Sequence, residues 1–372
     1  MKKIAIGLQP QLKRVETLIA PSGLFSDAFI SEIKPLGSRL AIFCDDNVAS
    51  LFGKKWCEHL QNAGLKTSLF SFPLGEKEKS RERKAELEDR LLSQKFGRDT
   101  CLIALGGGVT TDLIGFLAST FCRGVSLINI PTTLLGMVDA AIGGKTGINT
   151  PSGKNLIGTF YPADKILIDP TLLHSLPISE WANGLAEVIK YGLIHSPQLI
   201  EALKKWNPKD SHYLEKIIHE SVLIKAQVVE ADYEEMTGLR RILNFGHTIA
   251  HALEQSENYQ MAHGEAVAIG MLVEGHISTK MGLLSVKEFE AIDTLIRSFP
   301  FSLRLSSAVT LEAMRSALIL DKKSIRGAPR FVLLEKIGSC SLFAGEYCTE
   351  VPREALEEAI AWMTALFTGD RP

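Results

Sequence analysis

Three histidines and a glutamate in the second half of the chain have the residue types and spacing of a metal site. His247 and His251 are four positions apart, which places them on one face of a helix, and His263 opens another helical run. Glu187 offers a carboxylate, although with Lys190 three positions later it could form only a surface ion pair. Imidazole nitrogens and one carboxylate suit Zn²⁺, and a catalytic zinc keeps a fourth position for water or substrate. Neither HExxH nor CxxC occurs, so spacing alone leaves open which three groups would bind the metal.

A glycine-rich turn in the first half has the pattern of a phosphate-binding loop. The apolar run Leu102–Leu105 precedes Gly106-Gly107-Gly108, and a helical pattern follows from Thr110. Such a turn brings backbone N–H groups and a positive helix end close to a phosphate, although it could also be a flexible connection and it is not GxGxxG. Asp45 and Asp46 follow an earlier apolar run, where they could meet ribose hydroxyls or simply form a turn. Together these features favour a dinucleotide.

Several cations stand among small or apolar residues instead of in evenly charged segments, which is typical of a site for a small polyanion. Gly143-Gly144-Lys145-Thr146 lacks the GxxxxGK[ST] spacing, which excludes a P-loop NTPase. The set therefore favours a phosphorylated or carboxylated substrate. Its members are Arg123, Lys145, Lys154, Lys190, Lys225, Arg240, Lys322 and Lys323.

Two kinds of element must position these residues. From Arg39 to about Thr133, short apolar runs alternate with helical patterns, which predicts parallel βαβ units. After Pro and Gly residues around Thr150–Asp169, long helical segments recur from near Glu180 to Met281, and a hairpin is expected near Arg330.

Length and composition set the limits. A chain of 372 residues predicts two domains. A formal net charge of -2 gives no broad field for nucleic acid or an anionic membrane, so neither partner is expected. The apolar run after the first lysines is too short for a signal peptide or membrane span, which favours a cytoplasmic protein. Six scattered cysteines without a framework spacing are expected to pack in the core.

From about Asp45 to Leu334 the chain resembles the 3-dehydroquinate synthase family. The resemblance rests on five blocks in order: GGGVTTDLIGFLASTFCRG, PTTLLGMVDAAIGGKTGINTPSGKNLIG, GLAEVIKYGLI, GLRRILNFGHTIAHALE and HGEAVAIGM. It implies an α/β fold with an N-terminal Rossmann-like nucleotide-binding domain and a mainly α-helical C-terminal metal-binding domain. We expect these domains at residues 1–175 and 176–372. The resemblance further implies NAD, Zn²⁺ with Co²⁺ as an alternative, and a homodimer.

The family's motifs assign roles to individual residues of this chain. The implied metal ligands are Glu187, His247 and His263, which leaves His251 as a proton-handling group. The implied cofactor contacts are Asp45, Asn47, Glu76, Lys79, Gly107, Gly108, Val109, Asp112, Thr132, Thr133, Leu135, Lys145, Lys154, Ser175 and Leu176. The implied substrate contacts are Asp139, Lys145, Asn155, Lys190, Lys225, Arg240, Asn244, Lys322 and Lys323, with Arg123 reaching across a dimer interface.

The sequence differs from the family's common motifs in two segments that matter for the site. DAAIGGK stands where the family commonly has DSSVGGK, so Ala140 and Ala141 could remove local hydrogen bonds. One extra residue between Asp232 and Arg240 leaves both Glu234 and Glu235 as matches to the family's acid.

The implied reaction converts a phosphorylated keto-acid sugar, 3-deoxy-D-arabino-heptulosonate 7-phosphate, into 3-dehydroquinate and phosphate in the shikimate pathway. It combines transient oxidation by NAD⁺, phosphate elimination, re-reduction and an intramolecular aldol closure. The alternatives are another sugar phosphate cyclase, such as a 2-deoxy-scyllo-inosose synthase, an iron- or zinc-dependent alcohol dehydrogenase, and a catalytically silent NAD-binding module. The dense set of cations argues against the dehydrogenase, and the spaced metal ligands argue against the silent module.

Overall fold

The computed structural model describes residues 13–207, 210–320 and 329–368. The described residues form two compact units, one within Met1–Ile130 and Gly144–Ile168, the other within Pro131–Gly143 and Asp169–Pro372. The division of function between a domain at 1–175 and a domain at 176–372 stays a prediction.

A six-stranded sheet forms the centre of the first unit, in the order β1-β8-β5-β4-β2-β3. Its strands are β1 Glu16–Ile19, β2 Arg39–Asp45, β3 Thr67–Phe72, β4 Thr100–Gly106, β5 Ser126–Pro131 and β8 Lys165–Ile168. β2 pairs in parallel with both β3 and β4, which confirms the expected βαβ pattern. Every residue of β4 is buried, as expected for a parallel strand covered on both faces. A separate antiparallel hairpin joins β6 Lys145–Thr150 to β7 Gly153–Phe160.

The α-helices of the first unit are α1 Asp27–Ile33, α2 Asp46–Val48, α3 Lys54–Asn62, α4 Arg81–Ser93 and α5 Gly108–Thr120. A π-helical turn, Ala49–Gly53, joins α2 to α3. α5 begins directly after β4, so the glycine turn lies at the carboxyl end of a central strand. Gly106 has to be a glycine because a Cβ there would lie 2.4 Å from Thr110 Oγ1 on α5.

Helices dominate the second unit, which confirms the helical half of the expected fold. They are α6 Ile178–Ile194, α7 Pro197–Leu203, α8 Ser211–Ala231, α9 His247–Ser256, α10 His263–Lys280, α11 Val286–Arg297, α12 Leu311–Leu320 and α13 Arg353–Phe367. The hairpin expected near Arg330 is β9 Leu334–Lys336 with β10 Ser339–Cys340. In the described part of the chain, no helix has the length and apolarity needed to cross a membrane. All six cysteines are free and five are buried, with Cys122 partly exposed.

Two glycines let α9 and α10 approach until their backbones touch. Gly246, immediately before α9, has a φ of 80°, a conformation that side chains rarely adopt. On α10, a Cβ added to Gly270 would lie 2.0 Å from the carbonyl oxygen of Gly246. The start of α9 is therefore held against α10 by backbone contact.

We predict that Gly270→Ala destabilises the second unit, because the new methyl would collide with backbone that cannot rotate away. The overpacking should cost about 2 kcal/mol or more despite the better helix propensity of alanine. Gly275→Ala is the matched control on the same helix, since its Cβ would meet only the Phe289 ring at 3.3 Å. Thermal and denaturant unfolding of both variants check this; equal stability would contradict the close approach.

Candidate functional site

The centre of the candidate site is a carboxylate inside the second unit. Glu187 lies in the middle of α6 and its side chain is 1% exposed. Its Oε2 accepts a hydrogen bond from Lys190, one turn further along α6 and equally buried. Lys190 therefore forms a buried pair with Glu187 and not the surface pair that sequence spacing left open.

Two imidazoles approach the other oxygen of this carboxylate. Nε2 of His247 lies 3.3 Å from Glu187 Oε1, and Nε2 of His263 lies 3.5 Å from the same atom. Each histidine is the first residue of its helix, α9 or α10. The ligand atoms of the three residues lie within 4.8 Å of one another, and no other such group of three His, Cys, Asp or Glu residues occurs in the described part of the chain.

The second nitrogen of each ring is occupied, which leaves both Nε2 atoms for the shared centre. Nδ1 of His247 lies 3.1 Å from the carbonyl oxygen of Phe245, and Nδ1 of His263 lies 3.4 Å from Glu254 Oε1. Histidines that bind metals commonly donate the other ring nitrogen to a carbonyl or carboxylate in this way. Glu187 Oε1 is buried and accepts no hydrogen bond from any described residue. An orphaned carboxylate oxygen beside two available imidazole nitrogens fits a divalent cation.

The charges around the cluster point the same way. Burial opposes ionisation of Glu187, yet Lys190 and the two histidines hold its pKa well below the usual value. Burial lowers the pKa of His263, but Glu187 and Glu254 outweigh it and raise that pKa to about 10. The negative charge of the two carboxylates is therefore concentrated beside the imidazoles, where it favours a cation.

His251 is a neighbour of this cluster and not one of its three members. It lies one turn after His247 on α9, with ring centroids 5.8 Å apart. The structure therefore selects Glu187, His247 and His263 from the four groups that the sequence left open. Their role as ligands, and a proton-handling role for His251, stay predictions.

A second polar cluster lies in the same unit, around Asp139. This residue is in the π-helical turn Gly136–Ala140. Lys225 from α8 donates to Asp139 Oδ1 at 2.6 Å and to its backbone carbonyl at 2.5 Å. Tyr191 from α6 donates its hydroxyl proton to the same Oδ1 at 2.5 Å. Two expected substrate contacts, Asp139 and Lys225, are thus hydrogen-bonded to each other.

Burial shapes the ionisation of this cluster. It raises the pKa of Tyr191 well above the usual value, and the charge of Asp139 adds to that effect, so the phenol stays a donor. Burial also opposes ionisation of Asp139, but Lys225 outweighs it and lowers the carboxyl pKa. The pKa of Lys225 is lowered by burial against the opposing effect of Asp139.

Arg240 and Asn244 share the 3₁₀ turn Leu239–Asn244. Arg240 is 3% exposed, and its guanidinium donates to the carbonyl oxygens of Tyr233 at 2.5 Å and Gly143 at 3.2 Å. Asp232 accepts the backbone N–H of Arg240 at 3.0 Å, so both the backbone and the side chain of Arg240 are held by hydrogen bonds. Of the two possible acids, Glu235 has a carboxylate oxygen 3.8 Å from Arg240 Nε.

Some of the expected cofactor residues of the first unit lie at the carboxyl ends of β2 and β4. Gly107 caps α5, and Gly108 and Val109 form its first turn. Lys79 is 4% exposed and donates to both Asp112 on α5 and Asn155 on β7, at 2.5 Å each.

Other expected contacts of this unit have local structural partners. Asp45 accepts the backbone N–H of Val48 at 2.9 Å, which makes it the cap of α2. Glu76 accepts a hydrogen bond from Asn149 at 2.7 Å. Asn47 is in α2, Lys145 is in β6 and Lys154 is in β7. Arg123 ends the 3₁₀ turn Phe121–Arg123 with a φ of 66°.

The remaining expected cofactor residues belong to the second unit. Thr132, Thr133 and Leu135 lie in Pro131–Gly143, where Thr133 Oγ1 accepts the N–H of Gly136 at 3.0 Å. Ser175 ends the 3₁₀ turn Pro170–Ser175 and Leu176 follows it. Lys322 and Lys323 lie outside the described residues, so the choice between them stays open.

Sequence reasoning missed three buried polar residues beside the site: Tyr191, Glu254 and Glu274. Each had a signal. Tyr191 follows Glu187 by one helical turn, and Glu254 follows His247 by two turns on α9. Glu274 is an isolated acid in the otherwise apolar run from Ala266 to Gly275 on α10.

Comparison with known proteins decides the family. The family model for the 3-dehydroquinate synthase N-terminal domain matches residues 69–183, and that for the C-terminal domain matches residues 184–324. A 3-dehydroquinate synthase from Nostoc punctiforme is 38% identical over 355 residues, which cover 94% of this chain and 96% of the relative. The chain belongs to the 3-dehydroquinate synthase family. A second 3-dehydroquinate synthase, from a Picosynechococcus species, is 41% identical over 310 residues, 82% of this chain and 85% of the relative.

Solved structures of other sugar phosphate cyclases are similar over nearly the whole chain. A 2-epi-5-epi-valiolone synthase from Streptomyces hygroscopicus, with NAD⁺ and Zn²⁺ bound, has a TM-score of 0.85 and 28% identity, covering 97% of this chain and 99% of its own. A 2-deoxy-scyllo-inosose synthase complexed with carbaglucose-6-phosphate, NAD⁺ and Co²⁺ has a TM-score of 0.82 and 26% identity, with coverages of 92% and 95%. A glycerol dehydrogenase from Schizosaccharomyces pombe, at 16% identity and a TM-score of 0.65, shares the fold alone.

We predict that alanine at Glu187, His247 or His263 removes most of the zinc that the purified protein binds, because each residue would supply one of three ligand atoms. His276→Ala is the matched control, since His276 lies on α10 but stacks on Trp362 away from the cluster. Metal content after dialysis, with folding checked by circular dichroism, tests this. Full zinc occupancy in all three variants would refute the site.

Proposed function

We propose that the protein catalyses the 3-dehydroquinate synthase reaction. The substrate is 3-deoxy-D-arabino-heptulosonate 7-phosphate, and the products are 3-dehydroquinate and phosphate. The observation that carries the proposal is the identity of 38–41% to 3-dehydroquinate synthases over 82–94% of the chain. Within the sugar phosphate cyclases this identity exceeds the 26% shared with a 2-deoxy-scyllo-inosose synthase, which favours the carboxylated substrate.

We further propose that Glu187, His247 and His263 hold Zn²⁺, with Co²⁺ as an alternative. Two imidazole nitrogens and one carboxylate oxygen are a donor set typical of catalytic zinc. The orphaned Glu187 Oε1 and the occupied Nδ1 atoms support this assignment. When bound, the ion would polarise a substrate oxygen as a Lewis acid.

NAD is proposed as the second cofactor. In the first unit, the start of α5 offers backbone N–H groups at Gly107, Gly108 and Val109 with no acidic side chain in its first turn. A helix end of this kind suits a phosphate group. NAD would supply the transient oxidation and the re-reduction, so the overall reaction would be redox-neutral.

The chain's own residues of the second unit would then bind the anionic substrate and handle protons. Lys190 and Lys225 bring positive charge beside the Glu187 and Asp139 clusters, and such cations suit phosphate or carboxylate groups. Tyr191 and Lys225 hold the Asp139 carboxylate in one orientation. His251, one turn from His247, is the proposed proton-handling group. A homodimer with Arg123 at its interface and a cytoplasmic location are parts of the same proposal.

We predict that catalytic NAD⁺ is recycled. A substoichiometric amount should support many turnovers without accumulation of NADH, whereas a related alcohol dehydrogenase would release NADH with each product. The experiment incubates the zinc-loaded enzyme with the heptulosonate phosphate and follows phosphate, 3-dehydroquinate and NADH absorbance together. NADH growing in step with product would contradict the redox-neutral reaction.

Arg240 is proposed to bind the substrate carboxylate, which would distinguish this chain from cyclases of uncarboxylated sugars. Its planar guanidinium, already oriented by the Tyr233 and Gly143 carbonyls, offers a fork that lysine cannot reproduce. We predict that Arg240→Lys lowers kcat/KM roughly 10- to 150-fold, the equivalent of one charged hydrogen bond. The matched control is Arg241→Lys, because Arg241 pairs with Glu346 instead. Steady-state kinetics decide; near-native kcat/KM for folded Arg240→Lys and Arg240→Ala would refute the role.

A further inference from the structure

A fully buried carboxylate on α10 caps the helix that begins with His247. Glu274 has no exposed surface. Its Oε2 accepts the backbone N–H of Gly246 at 2.7 Å, and its Oε1 accepts that of Ile249 at 3.4 Å. Gly246 is the residue before α9, and Ile249 lies in the first turn of that helix. Both bonds therefore go to the end of α9 where His247 lies.

α9 needs a cap from elsewhere because its own N-cap residue has no side chain. The first four N–H groups of a helix have no partner within the helix, and a Ser, Thr, Asp or Asn at the N-cap usually accepts one of them. At Gly246 that acceptor is absent, and the φ of 80° disfavours any residue that could bring one. A carboxylate at this position also interacts favourably with the positive end of the helix.

Glu274 acts together with the glycine contact between the same two helices. It lies four positions after Gly270, so the two residues share one face of α10. Gly270 touches the Gly246 carbonyl, and Glu274 holds the Gly246 and Ile249 N–H groups. α10 itself begins at His263. The Glu274 carboxylate thus connects the two helices that begin with His247 and His263, the histidines of the cluster.

We propose that Glu274 is a positioning residue for the metal site and sets the place of His247. The inference rests on the proposed metal role of Glu187, His247 and His263. Nδ1 of His247 lies 3.1 Å from the carbonyl oxygen of Phe245, whose neighbour Gly246 is held by Glu274. Without the cap, the first turn of α9 loses two acceptors, and both the ring and the carbonyl that orients it lose their support.

The test measures zinc affinity and local backbone protection, and it needs no turnover. The full chain is stripped of metal, and zinc binding is titrated against a competing chelator. Glu274→Ala should lower the zinc affinity by about 10-fold or more, which is typical for the loss of a group that orients a metal ligand. Glu274→Gln keeps the shape of the side chain but has one acceptor oxygen where the carboxylate has two, so its zinc affinity should fall several-fold. This variant provides the test if the alanine variant does not fold. Hydrogen exchange of metal-free Glu274→Gln should be faster in residues 245–250.

Ser278→Ala is the matched control for a lost buried polar group. Ser278 lies one turn after Glu274 on α10 and is fully buried. Its hydroxyl donates to the backbone carbonyl of Glu274 and accepts the N–H of Leu334, and neither contact involves the Glu274 carboxylate. It should lower stability and leave zinc affinity unchanged. Wild-type zinc affinity in folded Glu274→Ala or Glu274→Gln, or an equal loss in Ser278→Ala, would overturn the inference. A wild-type chain without zinc affinity would instead refute the metal assignment on which the inference rests.

Discussion

The negative charge of Glu187, 1% exposed inside α6, has to be compensated by groups from other parts of the chain. A carboxylate taken out of water costs several kcal/mol unless partners surround it. Lys190 supplies one partner from the same helix, and the second oxygen lies beside the imidazoles of His247 and His263. Because each imidazole opens a different helix, α9 and α10 must both begin at the middle of α6.

Glycines next to the histidines make this convergence possible. Gly246 precedes His247 and touches α10 at Gly270, and Gly264 follows His263 and touches α6. A Cβ at Gly264 would lie 2.5 Å from the Cα of Asn183, which is one turn before Glu187. The backbone N–H of Gly264 donates to Asn183 Oδ1 at 2.8 Å. Gly246-His247 and His263-Gly264 therefore place each imidazole next to a point of backbone contact. Side chains at either glycine would move an imidazole away from the carboxylate.

The sequence predicted the elements well where local pattern decides structure. Apolar runs such as the one before Gly106 correctly predicted buried parallel strands, and the helical pattern after Glu180 correctly predicted the helices of the second unit. Selecting Glu187, His247 and His263 required the family resemblance, since spacing left four candidates. Tyr191 and Glu274 were missed because their partners, Asp139 and Gly246, are distant in sequence and meet them only after packing. The position of Pro131–Gly143 in the helical unit also depends on a contact between residues distant in sequence. Leu134 packs directly on Gly184 of α6, where an added Cβ would lie 2.5 Å from the Leu134 side chain.

The packing around Asp139 also bears on the chain's departure from its family. Ala140 and Ala141 stand where hydroxyls are common, so the neighbouring carboxylate could have lost part of its support. Its hydrogen bonds instead come from Tyr191 on α6 and Lys225 on α8, and Lys225 additionally holds the Asp139 carbonyl. Burial and the charge of Asp139 raise the pKa of Tyr191 well above its usual value, so the phenol remains a donor at neutral pH. Side chains from two helices thus hold the Asp139 carboxylate, which is compatible with alanine at both neighbouring positions.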